Sequence, residues 1–127
     1  VTAHPFRAVL SQSVRARALL YSGDGDIIPQ TPEDAVGHPV FKLADAVEVA
    51  NGGTADNENA FAMGVANLLG MPVTGGSDAH RVDQLGTAAT RFQREITGLA
   101  DLIEELKGGR FQAVDLRNGH DTGINPP

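Results

Sequence analysis

Met71-Pro72-Val73-Thr74-Gly75-Gly76-Ser77-Asp78-Ala79-His80 is the stretch on which the fold turns. Met71 to Thr74 is a short apolar run and reads as a buried strand. Gly75 and Gly76 end it, and Ser77 to His80 form the loop that follows. Upstream lies the clearest helix of the chain, about Ala55 to Leu69. Phe61, Ala62, Val65, Ala66, Leu68 and Leu69 give it a broad apolar face. Gly70 suits the position just past a helix end, and Pro72 follows soon after. Further upstream, Ala46-Val47-Glu48-Val49-Ala50 reads as another strand, closed by Asn51-Gly52-Gly53. Strand, helix and strand in succession predict parallel pairing in an α/β domain. In such sheets ligands bind outside the carboxyl ends of the strands, where Asp78 and His80 fall.

The flanks extend the pattern. Thr87 to Phe92 is a candidate strand. Thr97 is placed to cap a helix reaching about Lys107, with Leu99, Leu102, Ile103 and Leu106 on one face. Gly108-Gly109 ends it, and Phe111 to Leu116 alternates like a final strand. Residues 1–116 make one domain, and 117–127 read as a polar, loose tail. Toward the start, Thr31-Pro32-Glu33-Asp34 signals a short helix by its cap, its proline and its acids. Pro39 to Ala44 reads as a further helical turn. Gly23-Asp24-Gly25-Asp26 forces a loop. Ser11 to Leu20 reads as a helix, and Val1-Thr2-Ala3 as a strand end running into His4-Pro5. The absence of Met or a cap at Val1 leads to the expectation of a truncated, processed or engineered chain.

Composition narrows the chemistry. The chain has 127 residues, enough for one core, and no Cys, which excludes disulfides and thiolate-bound zinc. Its formal net charge of −6 disfavours non-specific duplex nucleic acid. No apolar run approaches a membrane span, and no signal peptide is evident, so the expected compartment is the cytoplasm. Any metal must sit on His, carboxylate, carbonyl or water.

His4 follows one strand and Asp78 and His80 follow another, so all three fall at carboxyl ends. In an extended segment residues i and i+2 share a side, which would present Asp78 and His80 together. A hard oxygen with imidazole nitrogens suits zinc, manganese or iron.

Thr2-Ala3-His4-Pro5-Phe6-Arg7, Val47-Glu48-Val49-Ala50-Asn51-Gly52 and Pro72 to His80 together resemble the later motifs of the PHP (polymerase and histidinol phosphatase) superfamily. Leu85-Gly86-Thr87-Ala88 and Leu106-Lys107-Gly108-Gly109-Arg110-Phe111 fit as well, so the resemblance runs from about His4 to Ala113. It implies a partial (β/α)7 barrel, mostly of parallel strands alternating with helices. It also implies two or three divalent metal ions in a complete site, and hydrolysis of a phosphate ester by metal-activated water. His4, Asp78 and His80 match ligand positions, with Asp78 and His80 also catalytic. Arg7 and Asn51 lie beside matched motifs as candidate substrate contacts. The implied partner is a small phosphorylated substrate or nucleotide. Complete members open with a His-x-His motif, then another His and a Glu, none of which is present here. The expectation is therefore an incomplete phosphoesterase domain, and pairing with a second copy would cover its open strand edges.

Other readings stand beside these. A non-catalytic PHP-like remnant, serving binding or assembly, is the alternative function. An unrelated hydrolase has little support, since neither a Gly-x-Ser-x-Gly elbow nor a P-loop occurs. Glu48 reads as an outward strand position, Glu104-Glu105 as a solvated helix face, and His38 and His120 as surface residues. Asp24 and Asp26 complete no cation-loop motif.

Overall fold

The computed structural model describes residues 1–11, 19–23, 25–117 and 122–124. The helix expected over Ser11–Leu20 falls almost wholly outside them, as do Asp24 and His120. The elements are α1 (Pro32–Ala35), β1 (Val47–Asn51), α2 (Asp56–Leu69), β2 (Val73–Gly76), β3 (Ala88–Phe92), α3 (Leu99–Gly108), β4 (Phe111–Asp115) and β5 (Thr122–Ile124). Two 3-10 turns, Pro39–Lys42 and Val82–Gln84, lie between them.

The β1-α2-β2 unit forms as the sequence predicts. β1 and β2 pair in parallel, Val47 opposite Val73 and Asn51 opposite Gly76. Gly70 takes a left-handed conformation (φ 62°) and donates its N–H to the carbonyls of Ala66 and Asn67, which ends α2. Phe61, Ala62, Val65 and Ala66 form its buried face. Thr2 adds a parallel bridge to Val47, accepting from Glu48 N and donating to Ala46 O. Around this unit Phe6 gathers Phe61 at 4.7 Å, Phe41 at 6.2 Å and Tyr21 at 6.3 Å between ring centroids. At α1, Thr31 is the expected N-cap, and Asp34 completes a reciprocal cap with it.

The second half departs from the expected parallel order. β3 pairs antiparallel with β4, and β4 antiparallel with β5, so part of the segment expected as a tail is a strand. The described strands form one parallel pair and one antiparallel sheet of three, an α/β arrangement without a closed barrel. The reason lies in Glu105. Its side chain is 1% exposed. It accepts from Arg94, just after β3, at 2.7 Å and from Arg110, just before β4, at 2.9 and 3.0 Å. Tying both ends of the α3 connection to one carboxylate returns the chain at the end where it left. Glu105 is thus a buried anchor, not part of a solvated face. It is the one buried residue of α3, and Leu99 stays 71% exposed. Gly98, not Thr97, holds the N-cap position; Thr97 instead donates its N–H and hydroxyl to Asp101.

This anchor makes α3 acid-sensitive. Hydrogen bonds from Arg110 first, then Arg94, hold the Glu105 carboxyl below its usual range, outweighing desolvation. A carboxyl depressed in the folded state contributes stability present above its unfolded pKa and lost as pH falls through the folded one. Amide exchange in α3 should therefore accelerate below the ordinary carboxylate range, before exchange in α2 does. Glu105→Gln should flatten that dependence while raising α3 exchange near neutrality.

The two sheets meet through Thr90 of β3. Its hydroxyl accepts from Gly75 N at 3.0 Å and donates to Gly75 O at 2.9 Å, replacing a ladder contact. No helix of the described residues is long and apolar enough to cross a membrane.

Candidate functional site

The parallel pair ends where Asn51, Gly52 and Gly53 leave β1 and Ser77 and Asp78 leave β2. His4 and Arg7 reach the same rim from the segment after Thr2. A cavity of about 770 Å³ opens there, lined by His4, Arg7, Asp78, His80, Glu58 and Gln84 among others. His4, Asp78 and His80, expected at carboxyl ends, all line this cavity.

Backbone strain concentrates at this cavity. His4 (φ 29°), Ala8 (φ 61°) and Asp78 (φ 49°) are non-glycine residues in the left-handed region, and all three line it. Asp78 is therefore not extended, and the alternation expected to align it with His80 does not apply. A turn joins the two instead: His80 Nδ1 lies 2.9 Å from the Asp78 carbonyl oxygen. A carbonyl only accepts, so Nδ1 carries the proton, and Nε2 of the neutral ring keeps its lone pair. Metal-ligating histidines are commonly held in this way. His80 N is also held, by Gln84 Oε1 at 2.9 Å.

Arg7 is the hub. Its Nη2 pairs with the Asp78 carboxylate and reaches Asn51 Oδ1 at 3.1 Å, while Nε donates to Thr54 Oγ1 at 3.3 Å. Both partners of the Arg7–Asp78 ion pair are about three-quarters buried, at 27% and 22% side-chain exposure. Asn51, expected as a substrate contact, is 1% exposed and sits behind Arg7. Its Oδ1 also accepts from Gly53 N and Thr54 Oγ1, each at 2.9 Å, and its Nδ2 donates to Glu48 Oε2 at 2.9 Å. Its backbone is locked to Asn59 through bonds of 3.2 and 3.0 Å.

Residues 56–111 match a family model described as PHP-associated. The match covers under half of the 127 residues and is a likeness of this segment. No curated protein and no solved structure matches the chain. The matched segment runs from α2 to the first residue of β4 and carries Asp78 and His80. His4, Arg7 and Asn51 lie before it and reach the cavity by packing against it.

One observation bears on whether the donors of the matched segment and of the segment before it fit a metal ion. His4 Nδ1 is buried without a hydrogen-bond partner, a donor atom awaiting a ligand. With His80 Nε2 and the Asp78 carboxylate it supplies the nitrogen and oxygen donors that zinc, manganese or iron takes. Among the described residues, no three or more His, Asp or Glu side chains are grouped closely enough to hold a metal, and Arg7 covers Asp78. The chemistry of the donors fits, but in this arrangement Arg7 occupies the Asp78 carboxylate and the donors are not gathered as ligands.

Two residues carry roles that local spacing hides. Glu48, which alternation assigns outward, accepts from His4 N at 2.7 Å as well as from Asn51. His38 is a structural cap: its Nδ1 accepts from Val40 N, and its Nε2 lies 3.2 Å from Leu20 O. Its ring packs 5.1 Å from that of Tyr21. The His38-Pro39 dipeptide was a legible hint of a helix start for the second.

Proposed function

We propose that this chain supplies the metal-binding and phosphate-facing wall of a metal-dependent phosphoesterase acting on a small phosphorylated substrate or nucleotide in the cytoplasm. The observation that carries it is one cavity shared by His4, Asp78, His80 and Arg7, beside a region of PHP-associated sequence. His4, Asp78 and His80 would hold zinc, manganese or iron, as two or three ions in a complete site. Bound there, such an ion lowers the pKa of water and neutralises charge on phosphoryl oxygens. His80 offers Nε2 because the Asp78 carbonyl holds the proton on Nδ1. Arg7, once free of Asp78, offers a planar fork of donors to two phosphate oxygens. Asn51 and Thr54 keep that guanidinium at the rim rather than in solvent.

A second reading is favoured by the Arg7–Asp78 pair itself, which satisfies both charges within the protein. On that reading the fold is a non-catalytic remnant used for binding or assembly. Metal content separates the two. Elemental analysis of the purified chain should find near-stoichiometric zinc, manganese or iron, lost in His80→Ala. Metal absent from both proteins would remove the ligand assignment and leave the second reading.

A further inference from the structure

We propose that Glu48 is the positioning residue of the cavity, holding His4 directly and Arg7 through Asn51. The inference takes the cavity as the working site but not the reaction assigned to it. Glu48 Oε2 is the common acceptor for His4 N at 2.7 Å and Asn51 Nδ2 at 2.9 Å. The first bond fixes the backbone of His4 at φ 29°, a conformation that persists only where the surroundings impose it. The second fixes the sense of the Asn51 amide. A carboxylate only accepts, so Nδ2 must face Glu48 and Oδ1 must face Arg7, Gly53 N and Thr54 Oγ1.

The strand is built to allow this. Residues three apart in a regular strand point to opposite faces. In β1 the register passes from Glu48 opposite Thr74 to Ala50 opposite Gly75, leaving Val49 as an extra residue. Such a bulge re-aims side chains, and here it brings Glu48 and Asn51 to one side. Across the pair, a Cβ on Gly76, opposite Asn51, would stand 2.6 Å from Glu48 Oε1, so the absence of a side chain there gives the carboxylate its room. The bulge, the glycine and the shared oxygen serve one arrangement, a carboxylate tying two separate segments to one rim.

The test uses proton–nitrogen NMR on the whole chain as wild type, Glu48→Gln and Glu48→Ala. Glu48→Gln keeps an oxygen for His4 N but removes the charge, so the His4 amide resonance should move upfield. Glu48→Ala removes the acceptor. The Asn51 side-chain amide and Arg7 Nε–H should then exchange about tenfold faster, as expected for loss of a charge-assisted bond. The Val65 and Val73 amides should keep their protection in both, which a general loosening of the fold would not permit. An unchanged His4 resonance in Glu48→Gln overturns the proposal, and so does unchanged exchange at Asn51 and Arg7 in a folded Glu48→Ala. Should Glu48→Ala fail to fold, the Glu48→Gln shift decides alone. These readouts need neither metal nor phosphate, so they can succeed where the phosphoesterase reading fails.

Discussion

Phe6→Ala should lower the unfolding free energy by about 3–5 kcal/mol, the range for truncating a fully buried aromatic side chain. Phe6 is 1% exposed and touches three aromatic rings from different parts of the chain. Its nearest, Phe61, belongs to α2, so the contact ties the segment after Thr2 to the βαβ unit. Phe6 also lies between His4 and Arg7. The cavity left by truncation sits directly behind two residues of the site. Denaturant titration should show the midpoint fall, and the Arg7 Nε–H should lose protection in the same variant. A change below about 1 kcal/mol would mean that the aromatic cluster does not carry the packing assigned to it.

The second large effect is expected at Gly75. A Cβ there would stand 2.4 Å from Ala89 O, 3.1 Å from Ala89 C and 3.2 Å from Ala50 O. All three are backbone atoms, on strands to either side, so neither neighbour can yield by rotating a side chain. Gly75→Ala should cost about 1–3 kcal/mol by overpacking, and more if the Thr90 bridge opens with it. Gly76→Ala is the control. Its Cβ would meet only the end of the Glu48 side chain, so its stability cost should be smaller and its effect concentrated at His4 and Asn51. Equal losses from the two variants, by thermal and denaturant unfolding, would contradict the close approach of β2 and β3.

The βαβ unit was legible because each of its signals is local. The apolar face of α2, Gly70 behind it and the short run Val73–Thr74 are read from neighbours in sequence. The rule that ligands gather at carboxyl ends then placed His4, Asp78 and His80 at one rim. The antiparallel return of β4 was not legible. It depends on Arg94 and Arg110 finding one carboxylate, and helical spacing marks Glu105 only as polar. Apolar periodicity located α3 but not its buried residue, for the same reason: its leucine face is partly exposed while Glu105 is buried. At the site, the Arg7–Asp78 pair joins residues 71 apart, and the Glu48–His4 bond residues 44 apart. No spacing rule reaches that far. The left-handed turn at Asp78 was hidden because only glycine advertises such a conformation, and Asp tolerates it silently. The bulge in β1 was hidden because an extra residue in one strand is visible only against its partner.

As one wall of a metal-dependent phosphoesterase, this cavity should bind a phosphate monoester through its metal and Arg7, and titration calorimetry reads that out. Adenosine monophosphate would be titrated into the chain with and without manganese, for wild type and Arg7→Ala. Binding is expected to require the metal and to weaken about tenfold in Arg7→Ala, the scale for losing a charge-assisted hydrogen bond. Binding that is indifferent to metal, or equal in both proteins, would contradict the assignment.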